Sequence, residues 1–199
     1  MEKQVIIALG REFGSGGHYI GEILAKDLGF HYYDRKILEH IAEEKNIHVE
    51  NLEKYDEKKG SRLFSRNVKG YSNSLEEIVA EMQFDYLKKK AESGESFVIV
   101  GRCAEEIFRG DERLVSIFVL SDLEDKIQRV SKRHDIGREE AVEKIRKIDK
   151  IRKKYHNKHS SVKWGDSRGY DICINSARLG IEKTAYILEE FIKERTGIS

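Results

Sequence analysis

Along the chain, short apolar runs alternate with stretches in which apolar residues recur every three or four positions, the signature of strands and helices in turn. Val5-Ile6-Ile7-Ala8-Leu9 lacks polar alternation and predicts a strand buried on both faces of a parallel sheet. Phe97 to Val100 and Leu114 to Leu120 have the same character, and Phe30 to Tyr33 and Tyr170 to Asn175 predict two further strands. Between them, Ile20, Ile23, Leu24 and Leu28 predict a helix ended by Gly29, and Asp34 stands where it could cap a second helix through Ile37, Leu38, Ile41 and Ala42. Leu75 to Ala91 predicts a third helix, and Ser121 and Asp122 open a fourth containing Ile127 and Val130. A long basic helix is expected from about Arg138 to Tyr155, and Ile181, Ala185, Leu188 and Ile192 give an amphipathic closing helix. Asn46 to Ser74 is mostly polar and predicts a mobile excursion. Strands alternating with helices define an α/β class with a mainly parallel five-stranded sheet.

Composition narrows the function classes. At 199 residues the chain has room for one α/β domain with insertions, and 39% hydrophobic residues supply a core that a disordered chain would lack. Lys plus Arg number 37 against 36 Asp plus Glu, so no global field draws the chain to nucleic acid or membrane, and any anion is held by local clustering. Cys103 and Cys173 have no metal-binding spacing and are expected to be reduced, packed thiols of a cytoplasmic protein. No apolar run approaches the roughly 20 residues needed to span a bilayer. His156 and His159 have no carboxylate or cysteine at ligand spacing, so no zinc site is expected.

The chemistry concentrates in Gly14-Ser15-Gly16-Gly17, between the first strand and the first helix. Here the N–H groups that a helix leaves unpaired sit at the positive end of its dipole, which suits a phosphate. A tight turn with close strand–helix packing would demand the same glycines. The P-loop pattern G-x-x-x-x-G-K-[ST] adds a lysine for the terminal phosphates and a hydroxyl for magnesium. Counted from Gly16 as the second glycine, Arg11 takes the first-glycine position, Gly17 the lysine position and His18 the hydroxyl position. Arg11 adjoins the loop and is the candidate for restoring the lost positive charge, because a guanidinium grips phosphate through planar donors.

Gly10-Arg11-Glu12-Phe13-Gly14-Ser15-Gly16-Gly17-His18, Tyr33-Asp34, Val98-Ile99-Val100-Gly101-Arg102 and Tyr170-Asp171-Ile172-Cys173-Ile174-Asn175 together resemble the cytidylate kinase-like family over nearly the whole chain. That family is a divergent branch of the nucleoside monophosphate kinases. The resemblance implies a P-loop kinase-like three-layer fold in one domain, with an acceptor-binding helical insertion at about 35–95 and a basic lid at about 133–168. It implies ATP bound by Gly14 to His18, with Mg²⁺ bridging its phosphates, and a nucleoside monophosphate acceptor of which CMP is the leading candidate. Arg129 matches a catalytic arginine of related kinases, and Asp149 with Arg152 matches an aspartate–arginine pair on the far side of the lid. At i, i+3 that pair shares a helix face, as an ordinary intrahelical ion pair also would. Arg129, Arg133 and Arg152 form the set expected to neutralise the transferring group, since phosphoryl transfer is mostly positioning and charge neutralisation.

Arg102 follows a buried strand at the end of the sheet where ligands bind, as an acceptor-phosphate ligand or as half of a surface salt bridge. Asp34 either caps a helix or, as the resemblance implies, contacts the pyrimidine or its ribose. The arginine that cytidylate kinases carry shortly after this aspartate has no clear match, with His40 near its place. A second function class is a nucleotide-binding regulatory protein that kept the scaffold and lost turnover, favoured by Gly17 and His18. RNA binding through the basic helix is disfavoured, because stacking aromatics are not interleaved beyond Tyr155 and Trp164.

Overall fold

The structure, a computed structural model, describes residues 3–34, 36–45, 67–68, 71–72 and 75–198. Its elements run β1 (Ile6–Arg11), α1 (Gly17–Asp27), β2 (His31–Tyr33), α2 (Ile37–Lys45), β3 (Asn67–Val68), β4 (Tyr71–Ser72) and α3 (Leu75–Glu92). They continue with β5 (Phe97–Val100), α4 (Ala104–Ile107), β6 (Leu114–Leu120), α5 (Leu123–His134), α6 (Arg138–His159), β7 (Ile172–Asn175) and α7 (Gly180–Thr196). Most of the segment expected to be a mobile excursion, Asn46 to Ser74, lies outside the described residues; within it β3 and β4 form an antiparallel pair.

Five strands form one sheet in the order β2-β5-β1-β6-β7, and every pairing in it is parallel. The chain leaves β1 for one side of the sheet and returns to its other side at β6, which makes the carboxyl end of β1 the switch point where ligands bind in such folds. Residues 6 to 9 show why the strand runs are uniformly apolar. Ile6 and Ala8 enter a core with α2, α3 and α4, whereas Ile7 and Leu9 enter a second core with α1 and α7. The sheet is therefore covered on both faces, and the molecule has three layers. A smaller cluster of Ile127, Val130, Ala141 and Ile145 joins α5 to α6 and takes in Phe13 of the glycine loop.

Several boundaries differ from the sequence pattern. β1 continues through Gly10 to Arg11, because the ladder to β6 extends to Arg11 and Val119. α6 is about one turn longer than expected, ending at His159. α4 has no counterpart among the expected elements: its four residues are too few to show a period. Asp122 occupies the N-cap of α5 but makes no capping bond; its carboxylate instead accepts from Asn175 Nδ2 at 2.8 Å. No helix among the described residues is long and apolar enough to cross a membrane.

Leu24 is fully buried between α1 and the sheet. Leu24→Ala should cost about 2–5 kcal/mol through lost transfer energy and the cavity left behind. Urea denaturation should show this as a lower midpoint with unchanged slope.

Candidate functional site

The glycine loop is held by packing on three sides. Gly14 and Gly16 both have φ of +83°, a conformation that side-chain-bearing residues rarely adopt. A Cβ on Gly14 would fall 3.0 Å from Val130 Cγ2 and 3.2 Å from the Lys126 carbonyl oxygen, and one on Gly16 would fall 2.9 Å from Ile181 Cγ1. Gly17 has Arg11 across it, at 2.7 Å from the same test position to Arg11 Cβ. Ser15 is fully buried; its Oγ donates to the Glu12 carbonyl at 2.9 Å, and its own carbonyl accepts from Ser176 Oγ at 2.6 Å. The amides of Gly14 and Gly16 have no hydrogen-bond acceptor among the described residues, as an anion cradle requires.

Charged side chains from two helices brace this loop. Phe13 N–H donates to Asp149 Oδ1 at 2.7 Å, and Lys126 Nζ lies 2.8 Å from Glu12 Oε2 and 3.7 Å from Asp149 Oδ2. Burial pushes the Asp149 carboxyl above its ordinary range, although the Phe13 amide, Lys126 and Arg152 pull the other way. Lys126 brings an ammonium close to a loop that lacks its customary lysine, yet that charge is engaged by two carboxylates. Arg129 Nη1 donates to the Gly14 carbonyl and to Ser121 Oγ, both at 3.0 Å. Arg133 lies over the Tyr19 ring, 5.7 Å from its centroid. Arg152 Nη1 donates to the Arg11 carbonyl at 3.2 Å, and its guanidinium lies over Phe13. Asp149 and Arg152, one turn apart on α6, thus both reach the loop.

Beside the loop, an open cleft lies at the carboxyl ends of β1 and β5, where Arg11, Arg102 and Arg152 converge with Glu105, His156 and Trp164. The Arg11 stem covers Gly17, while its guanidinium presses so closely on Gly101 that a Cβ there would collide with Nη1. The sequence places Arg11 beside the glycine loop; the structure carries its charged end on into the cleft. Arg102 is buried, and with Gly101 and Cys103 it forms a turn of three successive positive φ values, +86°, +62° and +51°. Each non-glycine residue in that region costs on the order of 1–2 kcal/mol, strain that clusters at ligand-binding turns. The Phe118 and Tyr170 rings cover Gly10, and Trp164 packs edge-on against Phe118.

Two further groups border the site. His18 Nδ1 lies 2.9 Å from the Tyr32 hydroxyl and 3.7 Å from Asp34 Oδ2, while Asp34 Oδ1 accepts from Lys36 N–H at 2.8 Å. Asp34 thus both supports the turn before α2 and faces the residue that stands at the hydroxyl position of the loop. Burial, with Asp34 and Glu22 nearby, pushes the Tyr32 hydroxyl well above its ordinary range, so it stays protonated. On the other side, His156 Nε2 is 2.6 Å from Glu105 Oε1, and both residues are buried. Sequence spacing did not single out Glu12, Glu105 or Lys126, and it set His156 aside because no carboxylate or cysteine lies near it along the chain. Glu105 and His156 are 51 positions apart, and Lys126 sat unmarked in a charge-rich sector.

A parallel sheet in this order, with a glycine loop after its central strand and arginines gathered beside it, defines the P-loop kinase-like class. The model of the cytidylate kinase-like family matches residues 6–178, and the chain belongs to that family. A cytidylate kinase of Methanopyrus kandleri is 25% identical over 197 residues, covering 94% of this chain and 93% of that protein. The crystal structure of an uncharacterized protein from Eubacterium ventriosum is 35% identical with a TM-score of 0.76, covering 96% of this chain and 99% of the other. A shikimate kinase from Acinetobacter baumannii, solved with shikimate, is 16% identical with a TM-score of 0.52 over 97% of this chain and 95% of its own, a likeness of fold alone.

Lys126→Met should leave Glu12 and Asp149 facing each other without a counter-ion beneath the loop. Removing one partner of a buried pair costs about 3–5 kcal/mol, and the residual exposure of both carboxylates puts the expected loss near the lower end. Equilibrium unfolding would measure it; a variant as stable as the parent would show that the cluster does not brace the loop.

Proposed function

We propose that the protein transfers the terminal phosphoryl group of ATP to a nucleoside monophosphate, with CMP the leading acceptor. The observation that carries this is the convergence of Arg11, Arg102 and Arg152 in one cleft beside the glycine loop. Membership of the cytidylate kinase-like family and the name of the Methanopyrus relative support the same reaction. In this mechanism Gly14 to His18 cradle the donor phosphates through main-chain N–H groups. Arg102, fixed by its strained turn, holds the acceptor phosphate, and Arg11 and Arg152 neutralise charge between the two nucleotides. Arg129 acts through the loop carbonyl it holds, Asp149 through the Phe13 amide, and Arg133 borders the donor side at Tyr19. Asp34 faces the acceptor's base or ribose. The acceptor is already an anionic phosphate, so no protein base has to remove a proton.

The segment at about 35–95 serves as the acceptor-binding insertion and that at about 133–168 as the lid, within a single domain of a cytoplasmic enzyme. Magnesium is the usual companion of the donor. The loop residues do not fit the usual way of holding it: His18 replaces the hydroxyl and faces Tyr32, and the neighbouring Ser15 hydroxyl is committed to Glu12.

A second function, nucleotide-responsive regulation without turnover, is favoured by the same two positions, Gly17 and His18, where the lysine and hydroxyl of the chemistry are missing. Purified protein incubated with ATP, magnesium and each monophosphate in turn should form a diphosphate, fastest with CMP. Tight ATP binding with no product from any acceptor would favour regulation instead. In the active enzyme, Arg102→Ala should raise the acceptor KM by about 10- to 100-fold, the worth of a charged hydrogen bond, with the ATP KM within about twofold of the parent. An unchanged acceptor KM would remove Arg102 from the site.

A further inference from the structure

Cys103, Glu105 and His156 each offer a metal-binding atom, the three atoms lie within 4.8 Å of one another, and all three residues are buried. They come from separate parts of the fold. Cys103 and Glu105 lie in the positive-φ turn and α4 after β5, and His156 reaches them from the last turns of α6. Neither phosphoryl transfer nor the bracing of the glycine loop requires a thiol here. The Nδ1 atom of His156 is buried and has no hydrogen-bond partner among the described residues, while Nε2 faces Glu105. The Tyr170 hydroxyl lies 3.4 Å from Nε2, so a fourth donor atom stands at the edge of the group.

We propose that Cys103, Glu105 and His156 form a binding site for one zinc-type divalent cation at the floor of the cleft. The ligand set selects the metal class, because thiolate and imidazole suit zinc or cobalt, whereas magnesium requires an all-oxygen octahedral shell. The distances suit it as well. Tetrahedral zinc with bonds of about 2.0–2.3 Å holds its ligand atoms roughly 3–4 Å apart, so the trio closes around an ion when the 2.6 Å His156–Glu105 contact opens by less than about 1 Å and any separation at the 4.8 Å limit contracts by about as much. Binding is a proton exchange without electron transfer. The metal replaces the thiol proton, which leaves to solvent, and any proton on the imidazole atom that becomes a ligand. Thiolate and carboxylate then cancel the two charges of the ion, so the loaded site is itself neutral beside Arg11, Arg102 and Arg152. Three protein ligands leave a fourth position toward the cleft, the pattern of open rather than purely structural zinc sites. The ion would tie α6, which carries Arg152, to the turn that carries Arg102.

The test uses the full-length reduced protein, stripped with chelator and titrated with cobalt(II) chloride in the absence of nucleotide, so its outcome does not depend on phosphoryl transfer. The expected result is one equivalent bound, with a thiolate-to-cobalt charge-transfer band and the intense visible bands of four-coordinate cobalt. Cys173→Ser should keep both, Cys103→Ser should lose the charge-transfer band, and Glu105→Gln or His156→Gln should weaken binding at least about tenfold. X-ray absorption of the zinc-loaded parent needs no variant and should show one sulfur and one imidazole in the shell. Absence of the band at excess cobalt, its survival in a folded Cys103→Ser protein, or a zinc shell without sulfur would each overturn the site.

Discussion

The hydrogen bond from the Phe13 amide to Asp149, reinforced by Lys126 between Asp149 and Glu12, ties the glycine loop to α6, and the rest of the site is arranged around that tie. α6 is one helix of 22 residues, and within eight residues it presents Asp149 to the loop, Arg152 to the Arg11 carbonyl and His156 to Glu105. One helix therefore reaches both the glycine loop and the turn after β5. Its connection to the body is polar and partly buried, which gives position more than stability: such pairs gain little over apolar packing but are costly to leave half-made. The apolar part of the joint is the small cluster that includes Phe13, Val130 and Ile145.

Seen this way, the departures from the P-loop pattern form a coherent arrangement. At the lysine position, a side chain would meet Arg11, whose stem covers Gly17 and whose charged end continues to Gly101. The positive charge has moved from the helix start to the neighbouring strand end, between the loop and the cleft. At the hydroxyl position, His18 is drawn toward Tyr32 and Asp34 at the end of β2. In the proposed reaction, anion binding then rests on the main-chain amides and on guanidinium groups, which are always charged and need no tuning.

Much of the fold is legible in the sequence. The apolar runs of β1, β5 and β6 announced strands buried on both faces, and the placement of Gly14 to Gly17 directly after the first of them marked the loop at the start of α1. Arg102 was legible too, as a polar residue immediately beyond a buried run. What escaped was of two kinds. α4 has four residues and follows a left-handed turn, so it shows neither period nor capping signal. The Lys126–Glu12–Asp149 and Cys103–Glu105–His156 groups depend on how α5, α6 and the β5 turn meet in space, which residue spacing does not encode. A long side chain such as Arg11 has the same difficulty: its backbone position is read from the strand, but the place of its charge is not.

The most direct test of a two-sided anion site under one helix is amide hydrogen exchange with a bisubstrate analogue, two nucleosides joined through five phosphates. Slowed exchange should appear together at Gly14 to Tyr19, at Gly101 to Glu105 and along α6 around Arg152, at a ligand concentration where ATP alone protects only the first segment. Protection of the glycine loop without the Gly101 turn, or of neither, would contradict it.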